Sequence, residues 1–200
     1  MLASPANPLL QDLRDRIRGI EGPRVRDPGR AVVGTGFPAF DRLLAGGGLP
    51  RGALTEWRSD SAGGGALTLA LAVVGHVIRS QGTAVVIDAA REFYPVAAAQ
   101  LGVPPDRTIV VRPDDPTAAL WAWEESLRFP GVAVTVGRLG EVNDKVVRRL
   151  QLAVEAGGGL GFLVRQPGAA TGAAWGATRV GVESNPGDAV GRRLRVRVTR

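Results

Sequence analysis

Cysteine is absent from this chain of 200 residues, and lysine, histidine, tyrosine and methionine each occur once. Without a thiol there is no disulfide, no cysteine nucleophile and no thiolate metal site. The single lysine, Lys145, is not near any glycine-rich loop, so neither a phosphate-loop lysine nor a Schiff-base lysine is available there. The lone His76 cannot supply a multi-histidine metal cluster and reads as structural. No apolar run approaches the ~18 residues of a membrane span. Met1 to Pro8 lacks the charged-then-apolar pattern of a signal peptide. These absences predict a soluble, cytoplasmic protein with no membrane partner and no bound metal.

What is present fits a single globular core with a small appended arm. Hydrophobic residues make up 44% of the chain, and the 28 glycines and 14 prolines are spread out, so they mark turns rather than a disordered tract. Arginine dominates a net charge of +6, which suits an acidic partner, nucleic acid included, or reflects arginine-rich codon usage. The arginines are scattered over residues 14–30, 138–149 and 192–200, and aromatics are only 5% of the chain. Single-strand binding wants clustered cations with stacking aromatics, so contact with DNA is expected to be weak or indirect.

Residues 1–30 form one unit and 31–200 another. In the first, Leu9, Leu10, Leu13, Ile17 and Ile20 share one helical face, with Gln11, Asp12, Arg14, Asp15 and Arg18 opposite. A helix this short must pack on something. Leu9, Leu13 and Ile17 therefore dock a partner or fold back on their own domain, and a Gly/Pro/Arg-rich linker follows from Glu21 to Arg30.

From residue 31 the pattern alternates. Strands are expected at 31–33, 53–57, 83–88, 108–111, 132–136 and 160–165, with helices at 37–44, 67–79, 91–101, 117–128 and 145–156. Leu49 to Gly52 reads as a turn, Pro95 as a proline tolerated in the first helical turn, and 108–111 as a buried strand. Such alternation predicts an α/β fold, a mainly parallel sheet with helices on both faces. The end differs: 179–183 and 193–199 read as an antiparallel edge hairpin around the turn cluster Ser184-Asn185-Pro186-Gly187-Asp188. Arg193, Arg195 and Arg197 share one face of its last strand; they bind phosphates or simply guard a sheet edge.

The most informative stretch is Gly52 to Leu71, a strand, a glycine-rich loop with Ser59, Gly63, Gly64 and Gly65, and a helix starting near Ala66. Strand, glycine-rich turn and helix N-terminus make the geometry of a phosphate-binding loop. Here the loop lacks lysine.

Thr35-Gly36, Phe40-Asp41, Gly47-Gly48-Leu49-Pro50-Arg51-Gly52, Leu54-Thr55-Glu56 and Ile87-Asp88-Ala89 together resemble the entry to the ATPase core of RecA recombinases. The resemblance implies a RecA-like three-layer core from about residue 31. It also places that family's phosphate-loop lysine on Gly65, its magnesium-binding hydroxyl on Ala66, its water-activating acid on Ala90 and its second magnesium acid at Gly137. Thr68 lies two residues past the hydroxyl position and Glu92 two past the acid. Hydrolysis of ATP is positioning plus electrostatic stabilisation by those groups, so four losses predict a non-enzyme.

A narrower resemblance is carried by Glu56-Trp57, Arg91-Glu92-Phe93-Tyr94-Pro95, Leu120-Trp121-Ala122-Trp123-Glu124 and Arg149-Leu150-Gln151 through Gly158. These segments are similar to the ImuA proteins, short RecA-like relatives encoded beside an error-prone polymerase. That resemblance implies an accessory role in damage-induced translesion synthesis, with an ImuB-type Y-family polymerase homologue as partner and RecA as a further one. Two alternatives stay open: a switch that binds ATP weakly without hydrolysis, Arg58 supplying charge, and a SulA-like cell-division inhibitor.

Candidate site residues follow. Arg58, Asp88, Arg91, Glu92 and Tyr94 stand where α/β sheets place ligands, so they line an emptied cleft or form an ion-paired surface. Trp121 and Trp123, two apart on a helix, cannot share a face; one is expected to be exposed as a partner contact unless both pack.

Overall fold

The computed structural model describes residues 31–61, 63–79, 82–139, 142–165, 167, 178–188 and 191–199. The amphipathic segment carrying Leu9, Leu13 and Ile17 lies outside them.

Mostly apolar runs, each preceded by a glycine, become the central strands, because a strand covered on both faces needs no polar side. They are β3 (Ala53–Arg58), β4 (Thr83–Ile87), β6 (Val132–Arg138) and β7 (Leu160–Val164). Partly exposed β5 (Thr108–Val111) and the hairpin strands β8 (Thr178–Asp188) and β9 (Gly191–Thr199) complete a seven-stranded sheet in the order β5-β4-β6-β7-β3-β8-β9. Every neighbouring pair is parallel except β8 with β9. The mainly parallel sheet with an antiparallel edge is as expected. A separate two-stranded ribbon, β1 (Val32–Val33) with β2 (Leu49–Pro50), leads into it.

Helices cover both faces. Between the ribbon strands lies one turn of helix, α1 (Pro38–Asp41). On one face of the sheet, α2 (Ala66–Val77) and α3 (Pro95–Gln100) enclose a core with Trp57, Val86, Val136, Phe162 and Val180. On the other, α4 (Pro116–Arg128) and α5 (Asp144–Gly157) enclose Leu54, Val85, Ile87 and Leu163. The centre of the first core is aromatic: Trp57 meets Phe40 edge-on at 5.9 Å between ring centroids and Phe162 at 5.1 Å.

Four local expectations are corrected. Leu49 and Pro50 are not a turn but pair with Val33 and Val32. The helix expected over 91–101 starts at Pro95, which opens it instead of sitting inside its first turn. Residues 91–94 are held as a loop because the Asp88 carboxylate accepts from the Glu92 and Phe93 N–H groups, at 2.8 and 3.1 Å. Strand β5 is an edge, not a buried strand, and its Ile109 is exposed. The cluster Ser184 to Asp188 belongs to β8: Ser184 and Asn185 pair with Leu194 and Arg193, so cross-strand pairing overrides turn composition.

Candidate functional site

The carboxyl ends of β3, β4 and β6 bring together the loop after Arg58, the Asp88 turn and Gly137. Ends of parallel strands are where α/β sheets hold ligands. The positions that the resemblance singles out thus lie toward the carboxyl ends of strands of one sheet.

The loop itself is closed from within. Gly64, Gly65 and Ala66 are buried. The Ala66 N–H, first in α2, donates to the Ser59 hydroxyl at 3.1 Å, and the Gly64 N–H donates to the Ser61 carbonyl at 3.1 Å. In an anion-binding turn these donors face the ligand; here the chain takes both. Gly65, at the lysine position, has φ +96°, and a Cβ built on it would stand 2.8 Å from Leu194 Cδ2 of β9 and 3.5 Å from Val182 Cγ1 of β8. An apolar leucine thus fills the space beside the turn. A side chain at Gly65 needs both a left-handed backbone and that space. Thr68, two residues past Ala66, is exposed in the first turn of α2.

The acid positions are equally altered. Ala90 is exposed in the turn after β4. Gly137 is buried opposite Ile87, and a Cβ there would lie 2.5 Å from the Ile87 carbonyl oxygen. Close contact between β4 and β6 leaves no room for a carboxylate.

The rim residues pair with one another. Arg112 Nε donates to Asp88 at 3.1 Å, Arg91 pairs with Asp114 at 3.3 Å, and Arg138 pairs with Glu92. Arg91 adopts φ +56°, uncommon for a side-chain-bearing residue, at the turn closed by its N–H to the Asp88 carbonyl. Tyr94 is exposed and ends this segment as the residue before α3. Asp88, Arg91 and Glu92 of this rim are thus ion-paired, with Asp88 buried.

Further charges, buried or half-buried and not among the candidate site residues, lie on β3, on β8 and just past β7. Glu56 is buried and meets Arg179 of β8 at 3.7 Å, in the register that sets β3 beside β8. Arg165, just past β7, is also buried. Desolvation lowers its guanidinium pKa; Glu56 opposes that shift, while Arg58 and Arg179 add to it. The signal was an acid in the middle of a strand expected to be buried, Glu56 between Thr55 and Trp57.

The tryptophans divide as their spacing requires. Trp121 is 66% exposed and Trp123 is fully buried, so the partner reading survives for Trp121 and is corrected for Trp123, which is core. Trp121→Ala is expected to leave stability within about 0.5 kcal/mol of the parent. A thermal melt checks this. On β9, Arg193, Arg195 and Arg197 are exposed, and Glu183 of β8 pairs with Arg195 at 3.6 Å and Arg197 at 3.0 Å. His76, read as structural, is exposed at the end of α2. It lines a cavity of about 520 Å³ with Arg51, Gly131 and Gly158, at the sheet's opposite pole. Among the described residues there is no metal-ligand cluster and no helix long and apolar enough to cross a membrane.

A family model described as the RecA N-terminal domain matches residues 26–138, more than half the chain. The chain belongs to the RecA N-terminal domain family. Among its curated relatives, RecA of Deinococcus radiodurans is 40% identical over 105 residues, which cover 52% of this chain and 29% of that protein. RecA of Symbiobacterium thermophilum is 38% identical over 105 residues, 52% of this chain and 30% of that one. The chain thus spans about three-tenths of the length of the curated RecA proteins it matches. Among solved structures, SulA from Pseudomonas aeruginosa shares 21% identity at a TM-score of 0.49, covering 56% of this chain and 96% of that one. The matched residues include β3, the glycine-rich turn and α2, and Ser59 and Leu194 pack against that turn.

Proposed function

We propose that this RecA-family domain is a non-catalytic protein-interaction module. The closed loop carries the reading: the Ala66 N–H is taken by Ser59, and Leu194 occupies the space beside Gly65, where the family's lysine falls. Gly137 and Ala90 supply no carboxylate for magnesium or water, so nothing replaces the electrostatic stabilisation that phosphoryl transfer needs. Calorimetry of the full chain with ATP and magnesium is expected to give no binding heat up to millimolar nucleotide. Micromolar affinity would establish the alternative, a nucleotide switch.

Two finer readings attach to the module. The sequence resemblance to ImuA proteins supports an accessory role in SOS-induced translesion synthesis, with an ImuB-type polymerase homologue as partner and RecA as a second. A SulA-like division inhibitor is the alternative. Co-purification from damaged cells separates them. The translesion reading expects enrichment of the ImuB-type neighbour, the inhibitor reading enrichment of the division GTPase. Direct DNA binding is expected to be weak and to fall steeply with salt.

A further inference from the structure

The two edges of the sheet are built differently. Strand β5 is four residues long and flanked by Pro104, Pro105 and Pro113, which shortens it and blunts pairing. Strand β9 runs nine residues, about 30 Å at ~3.3 Å per residue, and among the described residues it pairs with β8 alone. Half of its backbone donors and acceptors point away from β8, as in any edge strand.

Its side chains carry a period-two code. Arg193, Arg195 and Arg197 stand exposed on one face, while Leu194, Val196 and Val198 on the other are half-buried against the core beside α2. The inner neighbour already shows what this code accepts. Across from Arg195 lies Glu183, whose carboxylate pairs with both Arg195 and Arg197; across from Val196 and Val198 lie Val182 and Val180. Acid meets arginine on one face and valine meets valine on the other. The outer side of β9 offers the same arginines and the same apolar row, and β9 contains no acidic residue of its own.

We propose that β9 takes an added strand from an acidic partner protein, an extended segment alternating Asp or Glu with apolar residues. The carboxylates would lie opposite the three arginines, and the apolar residues would extend the row of Leu194, Val196 and Val198. Backbone hydrogen bonds give such an addition its affinity, and the alternate side chains give it selectivity. A second copy of this chain is disfavoured, because β9 against β9 sets arginine beside arginine. A nucleic acid is disfavoured too: β8 and β9 contain no aromatic residue on which a base could stack, and Glu183 interrupts the positive row.

The inference rests on the domain being an interaction module and adds which surface and what chemistry it uses. Fluorescence anisotropy of the full chain tests it with a labelled nonapeptide of alternating Glu and Val. Three controls accompany it: the same composition in blocks, the alternating peptide with every second amide N-methylated, and a single-stranded oligodeoxynucleotide. The alternating peptide is expected to bind about tenfold more tightly than the block peptide, the combined effect of two or three cross-strand charge pairs in register, and about tenfold or more over the methylated one, which loses backbone hydrogen bonds. The Arg195→Glu/Arg197→Glu double variant should lose that preference and gain one for a Lys–Val peptide, which also proves the variant folded. Equal binding of the block or methylated peptide overturns strand addition. Tighter binding of the oligonucleotide overturns the acidic-protein assignment, and absence of binding at millimolar peptide overturns both. Nucleotide calorimetry on the same sample reads the module proposal separately, so failure of one is not mistaken for failure of the other.

Discussion

Gly137→Asp, which puts an acid back where the RecA resemblance places one, is expected to destabilise the fold by about 3 kcal/mol or more and to create no ATPase. The cost has two parts. A Cβ at this position would lie 2.5 Å from the Ile87 carbonyl oxygen and 3.1 Å from the Ile87 side chain, so β4 and β6 must move apart. Overpacking of that kind costs about 1–3 kcal/mol, and here the obstacle is backbone in a paired strand, which yields poorly. The new carboxylate would also be buried beside that carbonyl, a charge without a partner. For a domain of this size the melting temperature should fall by roughly 6–12 °C. Denaturant unfolding measures the loss, and phosphate release with magnesium and ATP measures the activity. A stable variant would show that the spacing between β4 and β6 is adjustable. Measurable turnover would show that the loop is open to nucleotide.

Glu56→Ala is expected to cost about 3–5 kcal/mol, the penalty for removing one partner of a buried charge pair. Arg179, at 15% side-chain exposure, loses that carboxylate, and Arg165 loses an acid that counters its desolvation and the repulsion of Arg58 and Arg179. Guanidinium does not escape by losing its proton at ordinary pH, so the cost falls on the fold. Urea unfolding of Glu56→Ala, Arg179→Ala and the double variant forms a cycle. A double variant as unstable as the sum of the singles would mean that the pair does not interact and that Glu56 matters for other reasons.

Much of the architecture was legible because its signals are local. Thr83 to Ile87 and Leu160 to Val164 are continuous apolar runs, too short for helices and bounded by turn residues, and they are the strands that parallel sheets bury. The separation of Trp121 from Trp123 followed from helical geometry alone. The resemblance supplied Gly65, Ala66, Ala90 and Gly137 as the positions to inspect.

What escaped depends on contacts distant in sequence. Nothing in Arg193 to Thr199 announces that Leu194 will lie against Gly65; that needs β8 to run beside β3 and β9 to fold back on it. The same register brings Arg179 to Glu56. Pro95 was misplaced because the side chain of Asp88, several residues earlier, decides where the chain may turn helical. Ser184 and Asn185 carry turn propensity yet lie in β8, since pairing with β9 outweighs a local preference.

The leucine seated against Gly65 has a consequence for timing. A domain that exchanges and hydrolyses nucleotide carries an internal clock: each cycle commits energy, gives direction and resets the protein. With its turn filled by Leu194, the proposed module has no such cycle, and its associations run to equilibrium. Occupancy of a partner is then set by concentration and affinity alone. Such a protein is switched on by being made and switched off by being diluted or degraded, so the control that a nucleotide-cycling protein places in a phosphate bond would here lie in abundance.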